Sequence, residues 1–266
     1  MYLERFRFTS EPFTKEFRID GRFKLDFLIS EYEALKGVVD SRRSAVIVAP
    51  AGTGKSVTVR ALMDSLPAAR YKVHYFKLTD LSARDLCRQV AQFVGAPPAG
   101  NYPTLVKNLE ERLRLGYDGG GTRQLLVFDD AHDMRPDGLR LLRLLTNFDM
   151  DSRHVISVIL AGQPSLKRNL MSAENDDIHQ RLAHFGELRL LTREESKLYV
   201  EHRLKMVGSP RSPFTPQSLE ALYEVTSGNM RAIDEIAKGA LMLADEAGRD
   251  MVEPADVSAA RARRWK

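Results

Sequence analysis

Ala49-Pro50-Ala51-Gly52-Thr53-Gly54-Lys55-Ser56 follows directly on a short apolar run, Ala45–Val48. The stretch matches the phosphate-binding loop pattern G-x-x-x-x-G-K-S/T except at its first position, where Ala49 replaces glycine. In such a loop the backbone N–H groups point at the α- and β-phosphates of a nucleotide, the lysine reaches the β- and γ-phosphates, and the hydroxyl binds Mg²⁺. The helix predicted to start near Lys55 adds its positive end to the same anion site. The predicted nucleotide-binding residues are Pro50, Ala51, Gly52, Thr53, Gly54, Lys55, Ser56 and Val57.

A glycine-rich turn between a strand and a helix, with an incidental lysine, is the alternative to this interpretation. A second apolar run, Leu125–Asp130, ends in two carboxylates and reads as a strand buried on both faces of a parallel sheet. Ligands of open α/β sheets bind at the carboxyl ends of the strands, where the loop and the acidic pair would meet. Asp129 would hold Mg²⁺, and Asp130 could orient or deprotonate the attacking water. An ordinary turn or helix cap explains two aspartates alone, but the pair together with the loop predicts an ATP or GTP site.

Composition is that of a globular protein, with 266 residues of which 43% are apolar and 29% charged. We find no apolar run near 18 residues and no signal-peptide pattern at the N-terminus, so we expect a cytoplasmic protein without a membrane partner. Cys87 is the only cysteine, which excludes an intrachain disulfide, and we expect it to be a small core residue. The six histidines lack metal-site spacing, so we assign no transition metal.

The order of predicted elements indicates an α/β fold, a P-loop parallel sheet flanked by helices, with an all-helical C-terminal lid. We predict an N-terminal segment packing on the core (1–40), a nucleotide-binding domain (41–191) and a helical lid (192–266). The predicted strands are Ala45–Val48, Lys72–Leu78, 125–130 and Val155–Leu160. The predicted helices are Ser30–Val39, Lys55–Leu66, Ala83–Val94, Pro103–Leu115, ended by Gly116, Asp137–Thr146, 193–207, 215–226, 230–246 and 254–264.

Several further motifs carry a resemblance to the AAA+ ATPase family, in the branch of ExeA and the transposition ATPases of the TnsC and TniB type. The resemblance extends over nearly the whole chain and implies ATP and Mg²⁺ as cofactors. The motifs are Met1-Tyr2-Leu3-Glu4 with Glu11-Pro12-Phe13, Leu144–Phe148, Leu160–Pro164, His179-Gln180-Arg181-Leu182 and Ser227-Gly228-Asn229-Met230-Arg231.

The resemblance implies roles for four parts of the chain. Gln163 would be the first sensor of the γ-phosphate or the attacking water. Arg181 would act in trans on the nucleotide of a neighbouring subunit, and Arg231 would reach from the lid to its own nucleotide. The N-terminal segment, near Phe13, would cover the adenine.

Each of the three polar residues also has a purely structural interpretation. Gln163 could be an ordinary strand-end amide, and Arg181 a solvated helix arginine. Arg231 could pair with a carboxylate of its own helix, Asp234 or Glu235. A guanidinium suits either arginine role because it stays charged and binds phosphate in a planar fork.

The sequence departs from the family pattern at two positions. Ala49 restricts the backbone slightly but fits if its φ angle is negative. Asp130 stands where the family usually has glutamate. Its side chain is one methylene shorter, which withdraws the carboxylate, and such displacements are costly for catalysis. We therefore expect slow hydrolysis, as in an ATP-timed switch.

The leading hypothesis is an ATP-dependent, DNA-binding regulator of DNA transposition. It would assemble as a ring or helical filament on duplex DNA, recruit or activate a transposase, and be dismantled by hydrolysis. DNA contact would be mainly to phosphates and therefore largely independent of sequence, in line with a formal charge of +4, although any single basic residue is more often a solvated charge. The candidates are Lys77, Arg84, Arg88, Lys107 and Arg112, with Arg261, Arg263, Arg264 and Lys266 of the tail.

Three alternatives remain open. An ExeA-like secretion ATPase would carry a membrane segment and a cell-wall-binding region after the lid, and we expect neither in a chain that ends at Lys266. A helicase loader or replication initiator would usually append a winged-helix DNA reader. A nucleotide-gated scaffold would bind ATP but scarcely hydrolyse it, which the aspartate at position 130 keeps possible.

Overall fold

The computed structural model describes residues 2–16, 18–77, 80–148, 153–209 and 211–264. The chain divides into two compact units. The lid unit comprises Met1–Leu25, Pro50–Gly54 and Arg189–Lys266, and the sheet unit comprises Asp26–Ala49 and Lys55–Leu188.

Within the described residues, the sheet unit contains one parallel sheet of five strands in the order β2-β3-β4-β1-β5. Strand β1 lies between the central strand β4 and the edge strand β5, so the motif that follows β1 leaves the sheet from an internal strand. The predicted fold class, a parallel α/β sheet flanked by helices, is confirmed. The strands are β1 (Ser44–Val48), β2 (Tyr71–Lys77), β3 (Arg123–Asp129), β4 (Ile156–Gly162) and β5 (Leu182–Glu187).

Two helices of this unit, α4 and α5, begin after residues whose side chains cap them. Ser82 accepts a hydrogen bond from the backbone N–H of Asp85, and Asn101 accepts one from that of Thr104. Gly95 closes its helix in the left-handed conformation, with φ of 76°. The helices are α2 (Asp26–Asp40), α3 (Lys55–Ser65), α4 (Ala83–Val94), α5 (Tyr102–Asp118), α6 (Pro136–Leu145), α7 (Pro164–Leu170) and α8 (Asp176–His179).

The core of the sheet unit explains its stability. Every residue of β1 and β4 is buried, as expected for strands covered on both faces. One hydrophobic cluster joins β3, α4, α5 and α6, with Phe128 stacked on Phe76 at 4.8 Å between ring centroids. Cys87 is fully buried in that cluster, which confirms it as a small core residue.

The lid unit is helical, and its first long helix begins with a capping box. The Thr192 side chain accepts from the backbone N–H of Glu195, whose carboxylate in turn accepts from that of Thr192. The N-terminal residues of this unit are tied to the same helix by the Arg203 guanidinium, which donates to the carbonyl of Thr14. Phe13 is buried, edge-on to Phe214. The helices are α1 (Tyr2–Arg5), α9 (Arg193–Met206), α10 (Pro216–Thr226), α11 (Met230–Glu246) and α12 (Pro254–Arg264).

Several features differ from the sequence prediction, including the start of α2 at Asp26 and not at the predicted Ser30. Strand β5 was not predicted, because its run includes His184 and a glycine and only Gly186 is fully buried at this sheet edge. The short helices α7 and α8 were also missed. Helix α5 continues past Gly116 to Asp118, since a glycine inside a helix costs only about 1 kcal/mol.

The predicted packing of residues 1–40 on the core, and the division at residue 191, stay predictions. No helix in the described ranges combines the length and apolar character needed to cross a membrane.

Candidate nucleotide-binding site

The loop motif starts where β1 ends. The backbone N–H of Ala49 donates to the carbonyl of Gly162 at 3.0 Å, so the first residue of the motif is held on strand β4. Gly52 and Gly54 have φ angles of 83° and 91°, which favour glycine, whereas Ala49 is not among the residues with positive φ. The backbone thus favours glycine at positions 52 and 54 but accepts alanine at position 49, the first of the pattern.

Lys55 and Asp129 form a buried ion pair in the sheet unit. Lys55 begins α3 and Asp129 ends β3, and their Nζ and Oδ1 atoms are 2.5 Å apart. Both side chains are about nine-tenths shielded, at 10% and 9% exposed. The Ser56 hydroxyl donates to the other carboxylate oxygen, Oδ2, at 3.3 Å. The structure therefore brings together the lysine, hydroxyl and first carboxylate that the sequence assigned to phosphate and Mg²⁺.

The donors around Asp129 keep its carboxylate charged. Burial disfavours the charged form, but hydrogen bonding and charge from Lys55, with further donors, outweigh it and hold the pKa of Asp129 below its usual range. Tyr75 is one of those donors, with its hydroxyl 3.0 Å from Oδ2, and the backbone N–H of Asp130 is another, 2.9 Å from Oδ1.

A hydroxyl and an ionised carboxylate on the same side of one cluster fit Mg²⁺. This cation prefers oxygen ligands and is usually held by one or two carboxylates together with phosphates and waters. Ser56 and Asp129 would hold it, and it would supply positive charge to the phosphates. Lys55, once released from Asp129, would supply a second cationic group.

Asp130 differs from its neighbour in both backbone and exposure. Its φ and ψ angles are 54° and 32°, a left-handed conformation that aspartate tolerates better than most residues. Its side chain is 38% exposed, and Oδ1 lies 4.0 Å from Lys55 Nζ. A solvent-accessible carboxylate beside the lysine could orient or deprotonate an attacking water molecule. This role of Asp130 stays a prediction.

Gln163 follows β4 and contacts a residue from the loop after β3. Its Nε2 lies 2.7 Å from Nε2 of His132. Gly162 permits this approach, since a Cβ there would lie 3.1 Å from the backbone nitrogen of His132. Gln163 is thus linked to the loop that carries Asp130, and its role as a sensor stays a prediction.

The loop residues of the lid unit contact the start of α11. Asn229 Nδ2 donates to the carbonyl of Ala51 at 2.6 Å, and the backbone N–H of Arg231 donates to that of Gly52 at 3.3 Å. The late motif of the sequence is therefore brought to the phosphate-binding loop. Asp234, one of the two partners considered for Arg231, accepts from the Tyr199 hydroxyl, and the role of Arg231 stays a prediction.

Arg181 lies at the opposite end of the strands from Ala49, the first residue of the loop motif. It directly precedes β5, whose first residue pairs with Ser44 at the start of β1, whereas Ala49 follows the last residue of β1. Six residues of extended chain correspond to about 20 Å, which exceeds the length of an arginine side chain. The Arg181 guanidinium therefore cannot reach the motif residue Ala49 of its own chain.

The five basic residues assigned to DNA lie on β2, α4 and α5. Two of them are ion-paired within their own helix: Arg88 with Asp85 at 3.1 Å, and Lys107 with Glu111 at 3.8 Å. Arg84 donates to the carbonyl of Gly100. Lys77 and Arg112 are exposed, as are Arg261 and Arg263 of the tail, while Lys266 is outside the described residues. DNA contact stays a prediction for all of them.

Sequence reasoning missed three residues of these clusters: Tyr75, His132 and Asn229. Tyr75 pairs with Val127, two residues before Asp129, and its side chain bridges the about 6.6 Å that two strand residues span. Only the register of β2 against β3 reveals this contact. Asn229 could have been found, because it lies inside the motif Ser227–Arg231, whereas His132 lies two residues beyond the acidic run and in none of the recognised motifs.

Comparison with known proteins places the motif in a family. Residues 39–170 match the family model described as "AAA domain". The matched residues run from the end of α2 through α7 and make up just under half of the chain. Their similarity to an AAA domain, together with the parallel sheet, supports an ATPase.

A curated relative is General secretion pathway protein A from Aeromonas hydrophila. It is 28% identical over 226 residues, which are 84% of this chain but only 41% of that protein. The chain thus spans less than half the length of this relative.

Solved structures share the fold along almost the whole chain. The Aeropyrum pernix ORC1 protein in complex with DNA superposes with a TM-score of 0.70 at 17% identity, covering 95% of this chain and 68% of that one. Cdc6p from Pyrobaculum aerophilum gives 0.70 at 17% identity, with coverage of 94% and 69%. The RuvB Holliday junction branch migration motor of Thermotoga maritima gives 0.55 at 16% identity, with 88% and 65%. The chain therefore shares its fold with these ORC1 and Cdc6p structures.

Proposed function

We propose that this AAA+ ATPase is a cytoplasmic, ATP-dependent regulator of DNA transposition of the TnsC and TniB type. With ATP and Mg²⁺ bound, copies of the chain assemble as a ring or helical filament on duplex DNA and recruit or activate a transposase. Hydrolysis dismantles the assembly. The motif resemblance supports the transposition role, and the DNA-bound ORC1 neighbour is consistent with contact to duplex DNA.

The position of Arg181 is the observation that carries the assembly. Arg181 precedes β5 at the end of the strands opposite Ala49, which is about 20 Å away along the strand direction. An arginine used on a nucleotide must then act on that of another copy. A planar, permanently charged group suits a γ-phosphate.

Slow turnover is part of the proposal and rests on Asp130. Its carboxylate is one methylene shorter than the usual glutamate, and its left-handed backbone fixes where the side chain starts. A slowly hydrolysed nucleotide makes the assembly long-lived, which suits a timed switch.

Electron microscopy with a non-hydrolysable ATP analogue, with and without duplex DNA, tests the assembly directly. We expect rings or filaments with DNA and analogue together. Arg181→Ala should remain dispersed while still binding nucleotide, and Arg193→Ala, which removes an arginine of the lid unit bound to Glu220 and Glu224, is a matched control. Dispersed wild-type monomers under both conditions would contradict the proposal.

A secretion-related ATPase is the second candidate, because the curated relative at 28% identity is General secretion pathway protein A. DNA separates the two. The transposition role requires ATP-dependent DNA affinity that falls steeply with salt, and DNA that stimulates or alters phosphate release. If assembly and the rate of phosphate release are the same with and without DNA at every salt concentration, the secretion role is favoured.

A further inference from the structure

The first turn of α11 is hydrogen-bonded to carbonyl groups of the phosphate-binding loop. Asn229 Nδ2 donates to Ala51 at 2.6 Å, and the Arg231 backbone N–H donates to Gly52 at 3.3 Å. The contact belongs to one compact unit, which includes Pro50–Gly54 and Arg189–Lys266. Two consecutive loop carbonyls are therefore held by two donors from one helix end.

The orientation of the Asn229 carboxamide is fixed at both ends. Asn229 is the N-cap of α11, and its Oδ1 accepts from the backbone N–H of Ala232 at 3.1 Å. The oxygen is thus committed to the helix, which leaves the amide nitrogen to donate to Ala51. A residue that only capped α11 would not need this nitrogen.

Glycine at position 52 makes the close approach possible. A Cβ at Gly52 would lie 2.2 Å from Asn229 Oδ1 and 2.9 Å from the Cβ of Arg231. Its φ angle of 83° also favours glycine. The loop and the helix end therefore fit each other at this residue.

The residue before Asn229 fixes the turn from the other side. Gly228 accepts from the backbone N–H of Leu191 at 3.0 Å, and a Cβ there would lie 1.9 Å from the Leu191 carbonyl oxygen. Met230 also approaches the loop, with its Cε 2.9 Å from the Cβ position of Gly54. Asn229 thus sits in a turn that has little freedom to move away.

The carbonyl contacts determine where the loop amides point. In a trans peptide the C=O of one residue and the N–H of the next point in opposite directions in one plane. When Asn229 and Arg231 hold the carbonyls of Ala51 and Gly52, the N–H groups of Gly52 and Thr53 point away from the start of α11. Those N–H groups are the ones that the motif assigns to phosphate.

We propose that Asn229 is a positioning residue that aims the Gly52 and Thr53 amides at phosphate and fixes Arg231 beside the loop. The inference rests on nucleotide binding at this loop, as proposed above, and deepens it. It makes the ability of Arg231 to distinguish ATP from ADP dependent on the Asn229 side chain.

Asn229→Ser isolates the positioning role. Serine caps a helix about as well as asparagine, but it has no amide and its hydroxyl is too short to reach Ala51. We expect the affinity for both ATP and ADP to fall about tenfold, the equivalent of roughly one strong hydrogen bond. Asn101→Ser is the matched control, because Asn101 caps α5 in the same way, and its affinities should match the wild type.

A double-mutant cycle tests the link to Arg231. Arg231→Ala should lower the ratio of ATP to ADP affinity about tenfold in the wild type, and by less than about threefold when Asn229 is already serine. A merely structural role for Asn229 would leave the effect of Arg231→Ala unchanged. If Asn229→Ser melts early, Asn229→Thr, which also caps helices, is measured instead.

The outcomes separate this inference from the proposed function. The affinities are measured by fluorescent nucleotide titration. The role of Asn229 is overturned if Asn229→Ser or Asn229→Thr has wild-type affinities and if Arg231→Ala changes the ratio of ATP to ADP affinity as much in that variant as in the wild type. A wild-type protein that binds neither ATP nor ADP overturns nucleotide binding itself.

Discussion

Asp129 of the sheet unit and Asp234 of the lid unit are both largely shielded carboxylates with opposite behaviour. Asp129 receives an ammonium, two hydroxyls and a backbone N–H, and its pKa lies below the usual range despite burial. Asp234 accepts a hydrogen bond from the Tyr199 hydroxyl and lies 3.6 Å from Arg203 Nε. Burial therefore prevails and raises the pKa of Asp234 to about 6.

The difference shows how the balance between burial and hydrogen-bonding donors sets the charge of a shielded carboxylate. At Asp129 a lysine in hydrogen-bond contact, together with a backbone donor, outweighs burial, and at Asp234 burial outweighs the opposing charge of Arg203. Asp129 is therefore ionised and suited to a metal-bound nucleotide, whereas Asp234 joins α9 to α11 with a weakly stabilised charge.

Removing the ammonium should give the largest effect. We expect Lys55→Ala to lower ATP affinity by about 100-fold or more, because charge-assisted bonds to phosphate are lost. It should also lower the free energy of unfolding by about 3 kcal/mol, since Asp129 loses its cation. Nucleotide titration and urea denaturation measure the two, with Lys72→Ala, an exposed lysine of β2, as control. Unchanged stability would mean that Lys55 does not govern the state of Asp129.

Neutralising Asp129 should abolish turnover while sparing the fold. Asp129→Asn keeps the shape of the side chain but removes the charge assigned to Mg²⁺, and we expect phosphate release to fall about 100-fold. Asp133→Asn, four residues along the chain and exposed, should release phosphate like the wild type. Wild-type turnover in Asp129→Asn would remove the contrast between the two aspartates.

Asp234 should make stability depend on pH. Its pKa is about 6 in the folded protein against an ordinary 3.8, so the folded state binds more protons between those values. Its contribution to stability is thus present below about pH 4 and lost as the pH rises through 6, by on the order of 2 kcal/mol. Asp234→Asn should remove this decline in denaturation curves between pH 4 and 7, whereas Asp250→Asn, with a side chain 84% exposed, should keep it.

Lengthening Asp130 should increase turnover several-fold. Asp130→Glu restores the reach of the usual glutamate beside Lys55, and geometric gains of this size change rates by about 3- to 10-fold. Phosphate release under saturating ATP measures it. A turnover that falls or stays the same, with folding and ATP binding intact, would remove the basis for slow hydrolysis.

Tyr75→Phe should have the smallest effect. It deletes one of the donors to Asp129, so we expect the Mg²⁺ concentration for half-maximal turnover to rise about 2- to 3-fold. Burial, with the nearby carboxylate, raises the pKa of Tyr75 to about 12, so the hydroxyl remains a donor at neutral pH and the effect should be the same at pH 6.5 and pH 8.5. A shift confined to one of these pH values would contradict this assignment.

The sequence predicted elements well where caps or prolines mark their ends. Helices α4, α11 and α12 have the predicted bounds, and they begin after Ser82, after Asn229 and at Pro254. Strand β5 was missed because only Gly186 within it is fully buried, so its hydrophobic pattern is weak.

The candidate site was predictable as far as motifs extend. Lys55, Ser56 and Asp129 come together as expected, because the motifs fix residue types at the carboxyl ends of two parallel strands, β1 and β3, on either side of β4. Tyr75 was not predictable, since its contact depends on the register of two strands 50 residues apart in sequence, and register follows from packing.

The separation of Arg181 from Ala49 has a consequence for any assembly built on it. If the surface of one copy that carries Arg181 meets the surface of the next copy that carries the loop motif, the contact is head-to-tail. Such contacts close into a ring or continue as a helix. An open assembly of this kind is polar: the terminal copy at one end has a loop that receives no arginine, and the copy at the other end has an arginine that faces no loop. A partner protein could therefore tell the two ends apart by chemistry alone.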